Sequence, residues 1–184
     1  GAGASDYTAG GWPGHIVISE NYFESAVQEA INTHMNWNAY GSIVVTNNVF
    51  SGCDQAVEVS NANLIFDGNF VVNANYGVRC FSVGHSNKPI ETRRSIISNN
   101  IFVTSNTRPK SYTGGVMLST NDTATVSITG NIFYKAGIYS LDKVENVNID
   151  GNTFYSGDLY IYPARNVKIS NNKLHGVTIN LRPT

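Results

Sequence analysis

Asp54 and Glu58 stand four residues apart in the sequence, and Arg79 follows further along. Glycoside hydrolysis needs two carboxyls about 5–10 Å apart, one to protonate the leaving oxygen and one to activate water or attack the sugar. Asp54 and Glu58 are therefore the candidate catalytic pair, and Glu91 is a further carboxyl that a loop can bring near. Arg79, Tyr139, Tyr160 and Trp37 carry the chemistry of sugar recognition. Aromatic rings pack on the apolar faces of pyranoses, and a guanidinium bonds hydroxyls or uronates. The same residues on an ordinary solvated sheet would give only a Glu58–Arg79 cross-strand pair. A lyase mechanism calls for clustered aspartates that hold calcium, whereas the turn aspartates Asp67 and Asp150 do not fall on adjacent repeats. No metal or cofactor motif is present, so neither is expected. The Asn121-Asp122-Thr123 triplet is a weak glycosylation signal, because such triplets arise often by chance.

What must position these residues is a repeat. Seven segments align without gaps: IVISENYF (16–23), IVVTNNVF (43–50), LIFDGNFV (64–71), SIISNNIF (95–102), VSITGNIF (126–133), VNIDGNTF (147–154) and VKISNNKL (167–174). Each contributes one asparagine: Asn21, Asn48, Asn69, Asn100, Asn131, Asn152 and Asn172. The spacings between them are 27, 21, 31, 31, 21 and 20 residues, so a minimal repeat of 20–21 residues carries loop insertions in three places. Three and five residues before each asparagine stand aliphatic pairs such as Val45/Ile43, Ile128/Val126 and Ile149/Val147. A period of two places both on one face of a strand. Stacked at about 4.8 Å per strand, such pairs fill the bore of a solenoid. The asparagine then turns a corner and bonds the asparagine of the next repeat, and the phenylalanine two residues later (Phe50, Phe102, Phe133) stacks inside. The expected fold is all-β, a single-stranded parallel β-helix of about seven coils over residues 16–184. Residues 1–15 read as a linker or cloning scar.

A second strand follows in each repeat: 56–60, 77–81, 116–118, 138–141, 159–162 and 177–181, with a poorly defined counterpart near 29–31. Its outward positions form a row of Glu58, Arg79, Met117, Tyr139, Tyr160 and Thr178. The insertions add His34, Trp37 and Tyr40 (32–42), His85, Lys88, Glu91, Arg93 and Arg94 (82–95), and Arg108, Lys110 and Tyr112 (103–114). Trp37 is expected either to contact a ligand or to cap the first coil.

Four residues before each asparagine stand Val17, Val44, Ile65 and Ile96, then Ser127, Asn148 and Lys168. This outward stripe, apolar in its first half, predicts a subunit interface or a covering segment. Neither end of the solenoid carries an evident cap, so the chain is expected to be part of a larger protein. Cys53 and Cys80 occupy different positions in their repeats and are expected to be buried free thiols. Charged residues make up 14% of the chain and the formal net charge is -1. That gives no basic face for nucleic acid, and no run of about 18 apolar residues marks membrane insertion.

The seven-fold motif, over residues 16–181, resembles the pectate-lyase-like right-handed parallel β-helix superfamily, and most of all a bacteriophage tailspike fragment. The resemblance implies a right-handed helix and a homotrimer at the cell exterior or virion surface. It also implies binding and hydrolytic cleavage of a bacterial surface polysaccharide. A non-catalytic structural or adhesive β-helix and a monomeric pectate-lyase-like lyase are the alternatives.

Overall fold

A computed structural model describes residues 14–34, 41–60, 62–81, 94–104, 114–119, 125–140, 144–161 and 164–181. The described chain is all-β, with nineteen strands numbered here in chain order. A seven-stranded parallel sheet runs β1 (His15–Ser19), β4 (Ser42–Thr46), β7 (Asn63–Asp67), β10 (Arg94–Ser98), β13 (Thr125–Thr129), β16 (Val144–Asp150) and β18 (Ala164–Ser170). Each of the seven repeat segments enters this sheet. Sequence-distant strands are neighbours and every pairing is parallel, which gives a solenoid-like architecture.

The second sheet is nearly closed. It begins with the short strands β2 (Tyr22–Glu24), β5 (Val49–Ser51), β8 (Phe70–Val72), β11 (Ile101–Val103) and β14 (Ile132–Tyr134) and reaches β17 (Thr153–Ile161). It returns through β15 (Ile138–Ser140), β12 (Val116–Ser119), β9 (Tyr76–Phe81) and β6 (Gln55–Ser60) to β3 (Glu29–His34). The nine-residue β17 joins the two runs, and β19 (Lys173–Leu181) pairs along it. The second-strand element near 29–31 is thus longer than expected, reaching His34, and Arg94 and Ser95 belong to β10 rather than to an insertion.

The bore is filled as the period of two requires. Ile43, Val45, Phe66, Ile97, Ile128 and Ile149 are fully buried. The asparagines make a continuous ladder. Asn100, for example, donates its backbone N–H and its Nδ2 to Asn131 Oδ1 at 2.9 and 3.0 Å, and Nδ2 also reaches the Phe66 carbonyl at 2.8 Å. Its own Oδ1 accepts the equivalent pair from Asn69 at 2.8 and 3.1 Å. Hydrogen bonds at both ends of a buried amide offset the cost of removing it from water, which is why a polar side chain can occupy this corner in every rung.

The residue before each asparagine makes the corner possible. Glu20, Asn47, Gly68, Asn99, Gly130, Gly151 and Asn171 all have φ between 55° and 66°. That left-handed region is open to glycine and tolerated by asparagine. A Cβ on Gly68 would lie 2.7 Å from Asn47 Oδ1, and one on Gly130 2.8 Å from Asn99 Oδ1. A corner asparagine in one rung is therefore compatible with glycine in the next.

Candidate functional site

Strand register brings Asn32, Glu58, Arg79, Met117, Tyr139, Tyr160 and Asn180 into one row, in which Asn32 and Asn180 are exposed, Arg79, Tyr139 and Tyr160 half-buried, and Glu58 and Met117 buried instead of facing solvent as expected. The row is the expected one, with two changes at its ends. Asn32 joins it because β3 extends beyond residue 31. Asn180 replaces Thr178, which pairs instead with Asp158. Asn131 to Tyr139 and Asn152 to Tyr160 are both eight residues, and the same count from Asn172 reaches Asn180. That signal was present in the sequence.

Glu58 and Arg79 are directly opposed, and Arg79 Nη1 donates to Glu58 Oε2 at 2.8 Å. The Glu58 side chain is 6% exposed and that of Arg79 is 32% exposed. The carboxylate is thus withdrawn from water and held by a guanidinium that still reaches solvent. Burying a carboxylate is costly, and the charge-assisted bond offsets that cost.

Asp54 lies just before β6, and Glu58 lies within it. The Asp54 carboxylate accepts from the Asn75 amide of the next rung, and its backbone carbonyl accepts from Asn75 and Tyr76 N–H. The two carboxyls thus have different hydrogen-bonding partners, Asn75 and Arg79. Trp37 lies outside the described residues, as do Tyr40, His85, Lys88, Glu91, Arg93, Arg108, Lys110, Tyr112 and the 121–123 triplet.

Two tyrosines complete the row. The Tyr139 and Tyr160 rings are half-buried, with centroids 5.7 Å apart and planes within 20°. That separation exceeds the ~4.8 Å between strands, so the rings are offset. Tyr139 Oη donates to Asp158 Oδ2 at 3.5 Å, a long bond.

A second aromatic set was not anticipated. Tyr134, Tyr155 and His175 each stand three residues after a ladder asparagine, and all are exposed. Tyr134 stacks on Tyr155 at 4.7 Å and Tyr155 on His175 at 5.0 Å, with planes within 9° and 7°. These rings lie closer to one another and more nearly parallel than those of Tyr139 and Tyr160.

The outward stripe is continuous in register from Val17 through Val44 and Ile65 to Ile96. Val17 is 66% exposed, Ile65 37% and Ile96 41%, while Val44 is half-buried. Beyond the corner, Tyr22, Phe70 and Ile101 add exposed apolar surface on rungs in line with it.

Both cysteines are free and buried, as the repeat register requires. Burial pushes the Cys80 thiol up to about 11, against a small opposing effect of its contact with Ser95. Among the described residues, no group of three or more His, Cys, Asp or Glu side chains could hold a metal ion, and no helix is long and apolar enough to cross a membrane. No protein-family model, curated protein or solved structure matches the chain.

Proposed function

We propose that the chain is a right-handed parallel β-helix of about seven coils that recognises a bacterial surface polysaccharide, in the manner of a tailspike. The observation that carries this reading is the register row in which the buried Glu58, held by the half-buried Arg79, is followed beyond the buried Met117 by the offset tyrosines Tyr139 and Tyr160. Arg79 bonds hydroxyls or uronates from its exposed edge, and the half-buried tyrosine rings meet the apolar faces of sugar rings. The β-helix makes the row straight and stiff, so consecutive sugars meet a fixed array and little ordering entropy is lost on binding. The molecule acts at the cell exterior or virion surface, as a homotrimer joined through the stripe of Val17, Val44, Ile65 and Ile96.

The experiment is a binding and reducing-end assay over bacterial capsular and O-antigen polysaccharides. Binding that falls at least tenfold in Arg79→Ala and in Tyr160→Ala supports the reading, and binding to no polysaccharide in the panel refutes it. Release of reducing ends that disappears in Glu58→Gln would add hydrolysis to recognition.

A second reading, binding without cleavage, is favoured by one arrangement. Asp54 and Glu58 are each engaged by a separate partner, Asn75 and Arg79. Retained binding with no turnover is the result expected of it. For the trimer, Ile65→Lys lowers the sedimentation mass, and a wild type that is monomeric throughout removes that part of the proposal.

A further inference from the structure

Asp158 stands beside the register row and outside it. It lies two residues before Tyr160 in β17, so the period of two puts both on one face of the strand. Leu159 and Ile161, which alternate with them, are buried in the bore. β17 pairs with β15 on one side and with β19 on the other, so Asp158 and Tyr160 lie within the stack of strands and not at its edge. Asp158 is half-buried, as are Tyr139 and Tyr160.

The fold leaves this carboxylate with little to do. Its one side-chain hydrogen bond among the described residues comes from Tyr139 Oη, at 3.5 Å. An ionised carboxylate accepts at about four lone-pair sites. No cation pairs with it among the described residues, whereas Glu58 is held by Arg79 at 2.8 Å. The rung before contributes no side chain here, because a Cβ on Gly137 would lie 2.2 Å from the Asp158 carbonyl oxygen. The rung after places the short side chain of Thr178 opposite Asp158. A half-buried, unpaired anion is thus held beside two offset aromatic rings.

A pyranose offers such a place an apolar face and a rim of hydroxyl donors. The rings take the face, and the carboxylate takes the hydroxyls through charge-assisted bonds. A uronate would set a second negative charge against an unpaired one, and an unpaired charge discriminates against the wrong partner. Arg79 stands three strand spacings from Tyr160, about 14 Å, through β9, β12, β15 and β17. We propose that Asp158 is the hydroxyl acceptor of a neutral-sugar subsite formed with Tyr139 and Tyr160, and that it excludes uronates from that place. The subsite presupposes the polysaccharide reading and narrows it: the sugar at the tyrosines is neutral, and an acidic sugar is confined to the Arg79 end. Tyr139 also acts as a positioning residue, its hydroxyl steadying the carboxylate.

The test is calorimetric titration of the full chain with two kinds of probe: neutral O-antigen polysaccharides, and polygalacturonate, in which every sugar is a uronate. Wild type, Asp158→Ala, Asp158→Asn and Arg79→Ala are compared, with the far-ultraviolet spectrum as the check on folding. Wild type is expected to bind a neutral polymer and to prefer it to polygalacturonate. Asp158→Ala is expected to weaken the neutral polymer roughly tenfold or more. Asp158→Asn removes the charge at nearly constant size and is expected to narrow the preference roughly tenfold. A merely structural loss would weaken both polymers alike and leave that preference unchanged. If Arg79→Ala weakens binding and Asp158→Ala does not, the subsite is overturned and the polysaccharide reading stands. A preference that Asp158→Asn leaves unchanged, or a wild type that prefers polygalacturonate, also overturns the subsite alone. A wild type that binds no polysaccharide overturns both.

Discussion

Phe66 carries the aromatic column across the rung in which Val71 stands where the neighbouring rungs have phenylalanine. Its ring lies 6.0 Å from that of Phe50 and 6.2 Å from that of Phe102, bridging two rings that Val71 would leave apart. The adjacent stacks, Phe23–Phe50 at 4.8 Å, Phe102–Phe133 at 5.0 Å and Phe133–Phe154 at 4.5 Å, are tighter. One rung has exchanged a large residue and a small one between two inward positions and kept its volume.

That exchange makes the two positions strongly coupled. Phe66→Val should cost about 2–4 kcal/mol by opening a cavity in the column. Val71→Phe alone should cost about 1–3 kcal/mol by overpacking it. The double variant restores the arrangement of the other rungs and should recover more than about 1 kcal/mol of the summed loss, the coupling expected of residues in contact. Urea unfolding of the four proteins measures the cycle.

The ladder should be strongest at its centre. Asn100 is fully buried, and replacing it with alanine strips the acceptor from both the N–H and the Nδ2 of Asn69. Two buried donors without partners should cost about 3–5 kcal/mol. Asn21→Ala at the exposed first rung should cost about 1 kcal/mol or less, since water replaces what is lost. The same unfolding measurement checks both.

The ion pair should be asymmetric. Arg79→Ala leaves the Glu58 carboxylate buried without its guanidinium and should destabilise by about 1–3 kcal/mol, the partial exposure of Arg79 reducing the penalty for a fully buried pair. Glu58→Gln leaves Arg79 free to turn to solvent and should cost less. Glu58→Gln with Arg79→Met should cost less than Arg79→Ala alone.

Asp150 gives a pH signature. The Ser170 hydroxyl at 2.6 Å and the Asn171 amide at 2.9 Å, with a smaller effect of Lys168, hold its carboxyl below its ordinary 3.8. A folded-state value below the unfolded one means that the stabilisation is present above 3.8 and is lost as pH falls through the folded value. The stability gap between wild type and Asp150→Asn should therefore be constant at neutral pH and narrow only in acid. Carboxyl titration by NMR should show the Asp150 value rising toward 3.8 in Ser170→Ala. Asp67 receives the same two donors, from Ser98 at 2.6 Å and Asn99 at 2.9 Å, so an aspartate facing a Ser-Asn pair in the next rung recurs.

Cys80 should be inert in the folded protein. Its thiol is buried and pushed up to about 11, so almost no thiolate exists at about pH 8. A disulfide reagent should label Cys80 only in denaturant; labelling of the native protein at the rate of a free thiol would contradict the burial.

The sequence by itself determined the rung. An asparagine at a corner, aliphatic residues three and five positions before it and an aromatic two after it set which side chains face the bore. A period of two leaves no other face for them, and a one-residue slip would turn every one of them outward. Tertiary structure decided what depends on the path between rungs. The pairing of β17 with β19 puts Asn180, which the count of eight from Asn172 also reaches, at the end of the row in place of Thr178. Tertiary structure gave Asp54 to Asn75 and Glu58 to Arg79, because residues facing one another on adjacent rungs lie about 5 Å apart whatever their separation in sequence. It also gave Phe66 the place that Val71 leaves, since a bore of fixed volume constrains the sum of its side chains and not each position separately.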